Sequence, residues 1–212
     1  MKRMLASLLL VGCLLLGANP LQAEEGFISL FNGTDLTGWK VSEHPESVKV
    51  QDGVMICHGE RAHAFYTGPV HNADFKNFEL KAEFKTFPNA NSGIYFHTIY
   101  QEEGWPDKGF EAQVNNSNQK EKRKTGSLYQ MVDLPESPAK DFEWNEYHII
   151  VKEKQITLKV NGETVVEFEE PTPPVAHPKR PGRVLDHGTI ALQAHDPGSE
   201  VHFRNIRIKP LD

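Results

Sequence analysis

Residues 156–168 read Ile-Thr-Leu-Lys-Val-Asn-Gly-Glu-Thr-Val-Val-Glu-Phe. Ile156, Leu158 and Val160 alternate with polar residues, Asn161-Gly162 follows, and a second run extends from Glu163 to Phe168. Asn-Gly readily supplies the two positive φ angles of a type I′ turn, whose twist matches that of the strands it joins. The segment therefore predicts a β-hairpin. Outward from it, a period of two recurs from Phe78 to Phe84, Gly93 to Thr98, Gly109 to Asn115, Ser127 to Val132 and Tyr147 to Lys152. No window sustains the 3.6-residue period of an amphipathic helix. Short alternating strands separated by turn signals predict an all-β jelly-roll β-sandwich of two antiparallel sheets. No internal repeat or second domain is visible, and the proline-rich piece from Pro171 to Pro181 reads as a long surface loop.

The C-terminal runs, Gly188 to His195 and Glu200 to Ile208, flank the turn Asp196-Pro197-Gly198-Ser199 and predict a second hairpin. Pairing across that turn puts Gln193 and His195 on one face with Glu200, His202 and Arg204. Ile190, Leu192, Val201 and Phe203 then point into the core. Ile206 and Ile208 have the opposite parity, so a bulge is expected near Asn205.

The N-terminus reads as a leader. Lys2 and Arg3 precede an apolar run from Met4 to Leu16, and Leu21-Gln22-Ala23 forms a small-residue cleavage site. That order marks a secretory signal over residues 1–23, too short in its apolar part to span a bilayer as a mature helix. The expected mature chain is one domain, residues 24–212, exported to the periplasm or the medium. A lipobox reading of Leu10-Val11-Gly12-Cys13 competes. It would leave apolar Leu14–Leu16 after the lipidated cysteine, where a polar tether is usual, so export without an anchor is preferred. Without Lys2 and Arg3, 21 basic residues face 29 acidic ones, a formal charge of −8. Such a balance excludes nucleic acid and anionic lipid as electrostatic partners. Only Cys57 remains, in the apolar run Val54-Met55-Ile56, and it reads as a buried structural thiol.

The chemistry concentrates on the stretch Gly109–Ser117, GFEAQVNNS. In a strand, Phe110, Ala112 and Val114 face one way and Glu111, Gln113 and Asn115 the other. A carboxylate followed by two amides is either a wet strand face or the floor of a sugar-binding cleft.

Five ordered motifs resemble the 3-keto-disaccharide hydrolase domain family: Leu30–Trp39, Ser92–His97, Gly109–Val114, Thr125–Tyr129 and Phe203–Ile206. The resemblance covers about Gly26 to Leu211. It implies a concanavalin A-like jelly roll, a carbohydrate partner, and action on glycosides oxidised at sugar C3. One departure stands out: many members have Arg at the last position of the Ser92–His97 motif, where this chain has His97. Laminarinase-like jelly rolls place Glu, Asp and Glu at alternate positions of one strand, whereas here the rhythm is Glu111, Gln113, Asn115. Ordinary glycoside hydrolysis needs two carboxyl groups about 5–9.5 Å apart, and this strand supplies one. A 3-keto sugar relaxes that demand, because the ketone acidifies the C2 proton and a single base can start an elimination.

The catalytic candidates are thus Glu111, His97 and His195. The substrate-binding candidates are Gln113, Asn115, Tyr129, Trp105, Tyr95, Gln193 and Lys124, with Trp105 as a platform for a sugar ring. Each has a structural alternative: a solvated strand position, a satisfied core histidine, a core plug, or, for Arg123 and Lys124, a solvated turn. A sugar-binding module without chemistry, or a conventional glycosidase drawing a second carboxylate from Glu102, Glu103 or Asp107, are the alternative functions. No HxH or HxxxH pair marks a metal site. A calcium-like divalent cation is the one cofactor suggested, either a hard cation held by Glu111 with His97 or Asn115 or a structural calcium of the kind such jelly rolls carry.

Overall fold

The structure is a computed structural model and describes residues 24–175 and 177–211. The expected leader, residues 1–23, and Cys13 within it lie outside the described residues. The described residues form thirteen strands: β1 (Ile28–Ser29), β2 (Trp39–Val41), β3 (Val48–Gln51), β4 (Val54–His58), β5 (Ala62–Tyr66), β6 (Phe78–Thr86), β7 (Ser92–Thr98), β8 (Phe110–Val114), β9 (Asn145–Lys152), β10 (Gln155–Val160), β11 (Glu163–Glu169), β12 (Thr189–Ala194) and β13 (Glu200–Pro210). The larger sheet runs β11-β10-β9-β6-β13-β4-β3, with β1 added to β13, and the smaller runs β2-β5-β12-β7-β8. All pairings between named strands are antiparallel. This is the two-sheet jelly roll that the alternation predicts.

The core fills the space between the sheets. Phe78, Leu80, Ala82 and Phe84 of β6 are buried there, while Glu79, Lys81, Glu83 and Lys85 alternate outward. Tyr147, Ile149 and Val151 of β9 follow the same rule. The Asn161-Gly162 turn joins β10 to β11 with φ angles of 52° and 83°, as a type I′ turn requires. The bulge is found at Asn205, with φ 49° and a register shift between Arg204 and Arg207. There β13 changes its outer partner from β4 to β1, and Ile206 and Ile208 return to the core. Cys57 is buried, and burial pushes its thiol pKa up to about 12, which leaves it inert.

Two expectations need correction. β12 and β13 are not a hairpin: β12 pairs with β5 and β7, β13 with β4 and β6. The turn at 196–199 steps from one sheet to the other. Ile190, Leu192, Val201 and Phe203 still meet in the core, but from opposite sides. Gln193 and His195 therefore share no face with Glu200, His202 and Arg204. Ser127–Val132 is not a strand either. Gly126 at φ 97° and Gln130 at φ 61° break the extended run, leaving isolated bridges at Leu128.

The sheets differ in one respect that positions the site. Strands β5, β7, β8 and β12 are buried on both faces. The inner face meets the core, and the outer face is roofed by loops. Among the described residues no helix is long and apolar enough to cross a membrane.

Candidate functional site

The outer face of the smaller sheet is a polar floor built by strand register. Gln193 of β12 pairs with His63 of β5, and Gly93 and Tyr95 of β7 pair with Gln113 and Glu111 of β8. Because Ala191 pairs with Tyr95 and Leu192 with Ile94, Gln193 falls opposite Gly93. One row across the sheet thus reads His63, Gln193, Gly93, Gln113, and the next reads Phe65, Ala191, Tyr95, Glu111. A cleft of about 200 Å³ opens above, lined by Asn91, Tyr95, Trp105, Glu111, Gln113, Tyr129, Arg180, Gln193 and His195.

Among the described residues Glu111 is its only lining carboxylate, and it is 5% exposed. Its side chain leans into space that Gly93 leaves open: a Cβ at residue 93 would lie 2.6 Å from Oε1 and 2.8 Å from Cγ. Burial raises the Glu111 pKa to about 7, against the opposing pull of the Tyr95 hydroxyl and the Arg183 and Arg180 guanidinium groups. A carboxyl group titrating near neutrality can take and return a proton at working pH. The Tyr95 hydroxyl accepts a hydrogen bond from Gln193 Nε2 at 3.0 Å. Gln113 Nε2 donates to Asn91 Oδ1 at 2.6 Å and to the Ser92 carbonyl at 3.2 Å.

The two ends of the cleft differ chemically. At one end Tyr129 carries two guanidinium groups against its ring, Arg123 at 4.6 Å and Arg183 at 5.1 Å, with Arg180 lining the wall. Arg183 also donates to the Tyr129 carbonyl. At the other end the Trp105 ring lies 5.0 Å from His195 and 5.6 Å from His63. His195 Nδ1 is 2.6 Å from Asp196 Oδ2, which fixes the ring as a carboxylate-oriented histidine. The loop bearing Trp105 is held from below. Gly104 N–H donates to Glu43 Oε1 at 2.9 Å, and Arg61 pairs with the same carboxylate at 2.8 Å.

Three candidates lie elsewhere. His97 is 1% exposed; its Nε2 is 2.8 Å from the Lys76 carbonyl, and its Nδ1 accepts from Asp186 N–H at 3.2 Å. At φ 54° it leaves the strand alternation, so its ring turns onto Phe78 and Phe96 instead of following Tyr95. Burial lowers its pKa to about 4. It is a satisfied structural histidine. Asn115 spends its amide on loop carbonyls of Asn118, Glu121 and Arg123, and its Oδ1 accepts from Asn118 N–H. Lys124 is buried and donates to the carbonyls of Asn118 and Glu121, so it is neither a solvated turn nor a cleft residue. Glu111, His97 and Asn115 therefore do not converge, and the donor set suggested for a hard cation is not assembled. Glu102, Glu103 and Asp107 do not line the Glu111 cleft either: Glu102 accepts from the Tyr100 hydroxyl, and Glu103 and Asp107 border a neighbouring hollow.

The sequence reading missed His63, Asn91, Arg180 and Arg183. Arg180 belongs to the end of the loop read as mere surface, and Arg183 follows just beyond it. Their signal was basic residues in an otherwise acidic chain, on a loop too long for a simple connection. His63 shows only through register. It is fully buried, neither ring nitrogen has a partner among the described residues, and burial lowers its pKa to about 3. Gln113 Oε1 and Gln193 Oε1 are likewise buried and unpaired. Each such group costs about 1–3 kcal/mol, a cost that ordinary floors avoid.

With the site described, its relatives can be placed. The family of 3-keto-alpha-glucoside-1,2-lyase-like domains matches residues 26–209. The chain belongs to this family. A 3-keto-disaccharide hydrolase of Bacteroides thetaiotaomicron is 29% identical, over 91% of this chain and 81% of that protein. A solved structure of a candidate glycosyl hydrolase from Parabacteroides distasonis superposes with a TM-score of 0.71 at 26% identity, covering 89% of this chain and 95% of that one. The lumenal domain of VIP36, at 10% identity and a TM-score of 0.57, covers 88% and 89% of the two chains and shares the lectin-like jelly roll alone. This member of the 3-keto-lyase-like family is accordingly a carbohydrate-active protein of hydrolase type.

Proposed function

We propose that the protein is an exported enzyme that cleaves the glycosidic bond of 3-keto-glycosides, 3-keto-disaccharides among them, by elimination and hydration. Glu111 removes the proton from C2, and the C2–H electrons form the enolate with the C3 oxygen. The enolate collapses, the C1–O bond breaks, and the leaving oxygen takes a proton from His195, which Asp196 orients. Water then adds at C1, and a proton returns to C2. The positive groups Arg180 and Arg183 near Glu111 oppose the charge that develops on the C3 oxygen. Gln113, Gln193 and Tyr95 orient sugar hydroxyls, and Trp105 and Tyr129 provide ring faces.

The single observation that carries this reading is one buried carboxyl group, poised near neutrality, in a cleft with no second carboxylate on its lining among the described residues. Double displacement needs two. Export rests on Lys2-Arg3, the apolar run to Leu16 and the Ala23 cleavage site. The test is incubation with a 3-keto-disaccharide beside its unoxidised parent, following release of free sugar. Release from the oxidised substrate alone is expected. Release from both would indicate a conventional glycosidase, and release from neither a binding module.

A further inference from the structure

The unpaired atoms on the floor share a chemical character. Gln113 Nε2 spends both its hydrogens on Asn91 and Ser92, which leaves Gln113 only its Oε1; Gln193 Nε2 spends one on Tyr95, which leaves Gln193 its Oε1 and one N–H. Both oxygens are acceptors. His63 lies directly across from Gln193 in the same row, and its uncharged ring offers one acceptor and one donor. A row with three free acceptors beside the donors of His63 and Gln193 pairs with hydroxyl groups, which both donate and accept. A ketone or a carboxylate, which can only accept, would leave these acceptors unpaired. The Arg180, Arg183 and Tyr129 end has the opposite character, rich in donors and positive charge.

We infer that the row His63, Gln193 and Gln113, beneath Trp105, is a subsite for an unoxidised, hydroxyl-bearing sugar ring. Resting on the proposed function, this orients the substrate: the oxidised ring lies toward Arg180 and the leaving sugar toward Trp105. The acceptors are covered in this structure, and Trp105 is the partly exposed ring that packs on His63. A sugar reaches the row by taking the place of that contact, so Trp105 moves from its T-shaped contact with His63 to the face of the sugar. The Glu43–Arg61 pair beneath Gly104 marks where the segment stays anchored while it does so.

The subsite is tested by binding, without reference to turnover. The mature chain is titrated calorimetrically with D-glucose, D-galactose and D-mannose, and with the deoxyfluoro analogues of whichever hexose binds best. Fluorine can accept weakly but cannot donate, so replacing a recognised hydroxyl leaves a buried acceptor unpaired. At least one position should weaken binding by about 10-fold or more. In Gln193→Met that discrimination should fall toward unity, with an independent His63→Phe variant read the same way and melting curves confirming the fold of both. Absence of binding by all three hexoses, or equal binding of hydroxyl and fluoro forms, would overturn the subsite. So would discrimination that persists in both folded variants. Cleavage of a 3-keto-glycoside is measured in parallel. Discrimination without cleavage keeps the subsite and removes the proposed function; cleavage without discrimination does the reverse.

Discussion

Glu111 illustrates how a single residue can be costly to the fold and useful to the site. Its pKa, raised by burial from 4.5 to about 7, means that the folded protein prefers the protonated form. That preference stabilises fully below the unfolded value of about 4.5 and is lost as pH rises through about 7. The shift corresponds to roughly 3 kcal/mol of penalty for the charged form at alkaline pH. Glu111→Gln keeps the shape without the charge. Its melting temperature should exceed the parent's by at least about 3 °C at pH 8, with the difference vanishing near pH 4. Calorimetry at the two pH values checks this; an equal difference at both would mean that the carboxyl group carries no such penalty. The alternation around Glu111 was legible in the sequence. Its burial was not, because the roof comes from loops distant in the chain.

At the scale of elements, strand β7 matters for what it omits. Gly93 sits in a fully buried strand, and a methyl group there would meet the Glu111 carboxyl at 2.6 Å. Glu111 must then move, since the opposite face is core. Gly93→Ala should lower kcat on a 3-keto-glycoside by about 10-fold or more, because a misplaced base loses proton-transfer efficiency. KM should shift less, as the aromatic and amide contacts remain. Steady-state kinetics distinguish this from a purely structural effect, which would lower the melting temperature and leave kcat intact. Elements also show where sequence reading stops. The Asn161-Gly162 hairpin and the Asn205 bulge follow from local chemistry, and both are present. The 196–199 turn looked just as local, yet it crosses between sheets. The apolar pattern of Ile190, Leu192, Val201 and Phe203 fits either arrangement, so nothing in the residues chose between them. His97 failed for a related reason: its positive φ takes it out of the period-two run read from Gly93 to Thr98.

For the whole molecule, two buried histidines and one buried carboxyl group act in opposite directions on stability. Burial depresses His63 to about 3 and His97 to about 4, so the stability tied to their neutral forms is present above about 6.5 and lost as pH falls through those values. Glu111 gains over much of the same range, but two groups outweigh one. The melting temperature should fall by at least about 5 °C between pH 7 and pH 4. A flat or rising profile would mean that the histidines are not held neutral. The jelly roll itself was readable end to end, since period-two burial is a local signal. The cleft was readable only in part: β8, Trp105 and Tyr129 stand out in the sequence, whereas His63, Arg180 and Arg183 reach the site through long-range register and loop packing.

If Glu111 removes the proton on C2, as proposed, the fate of that hydrogen follows it. A 3-keto-disaccharide deuterated at C2 is turned over in ordinary water, with spontaneous exchange measured without enzyme as the baseline. The prediction is slower turnover than for the protiated substrate and loss of the label from the released keto sugar well above that baseline. Glu111→Gln should reduce both turnover and label loss by at least about 100-fold. Free sugar released at the parent's rate with the C2 label retained would contradict the claim.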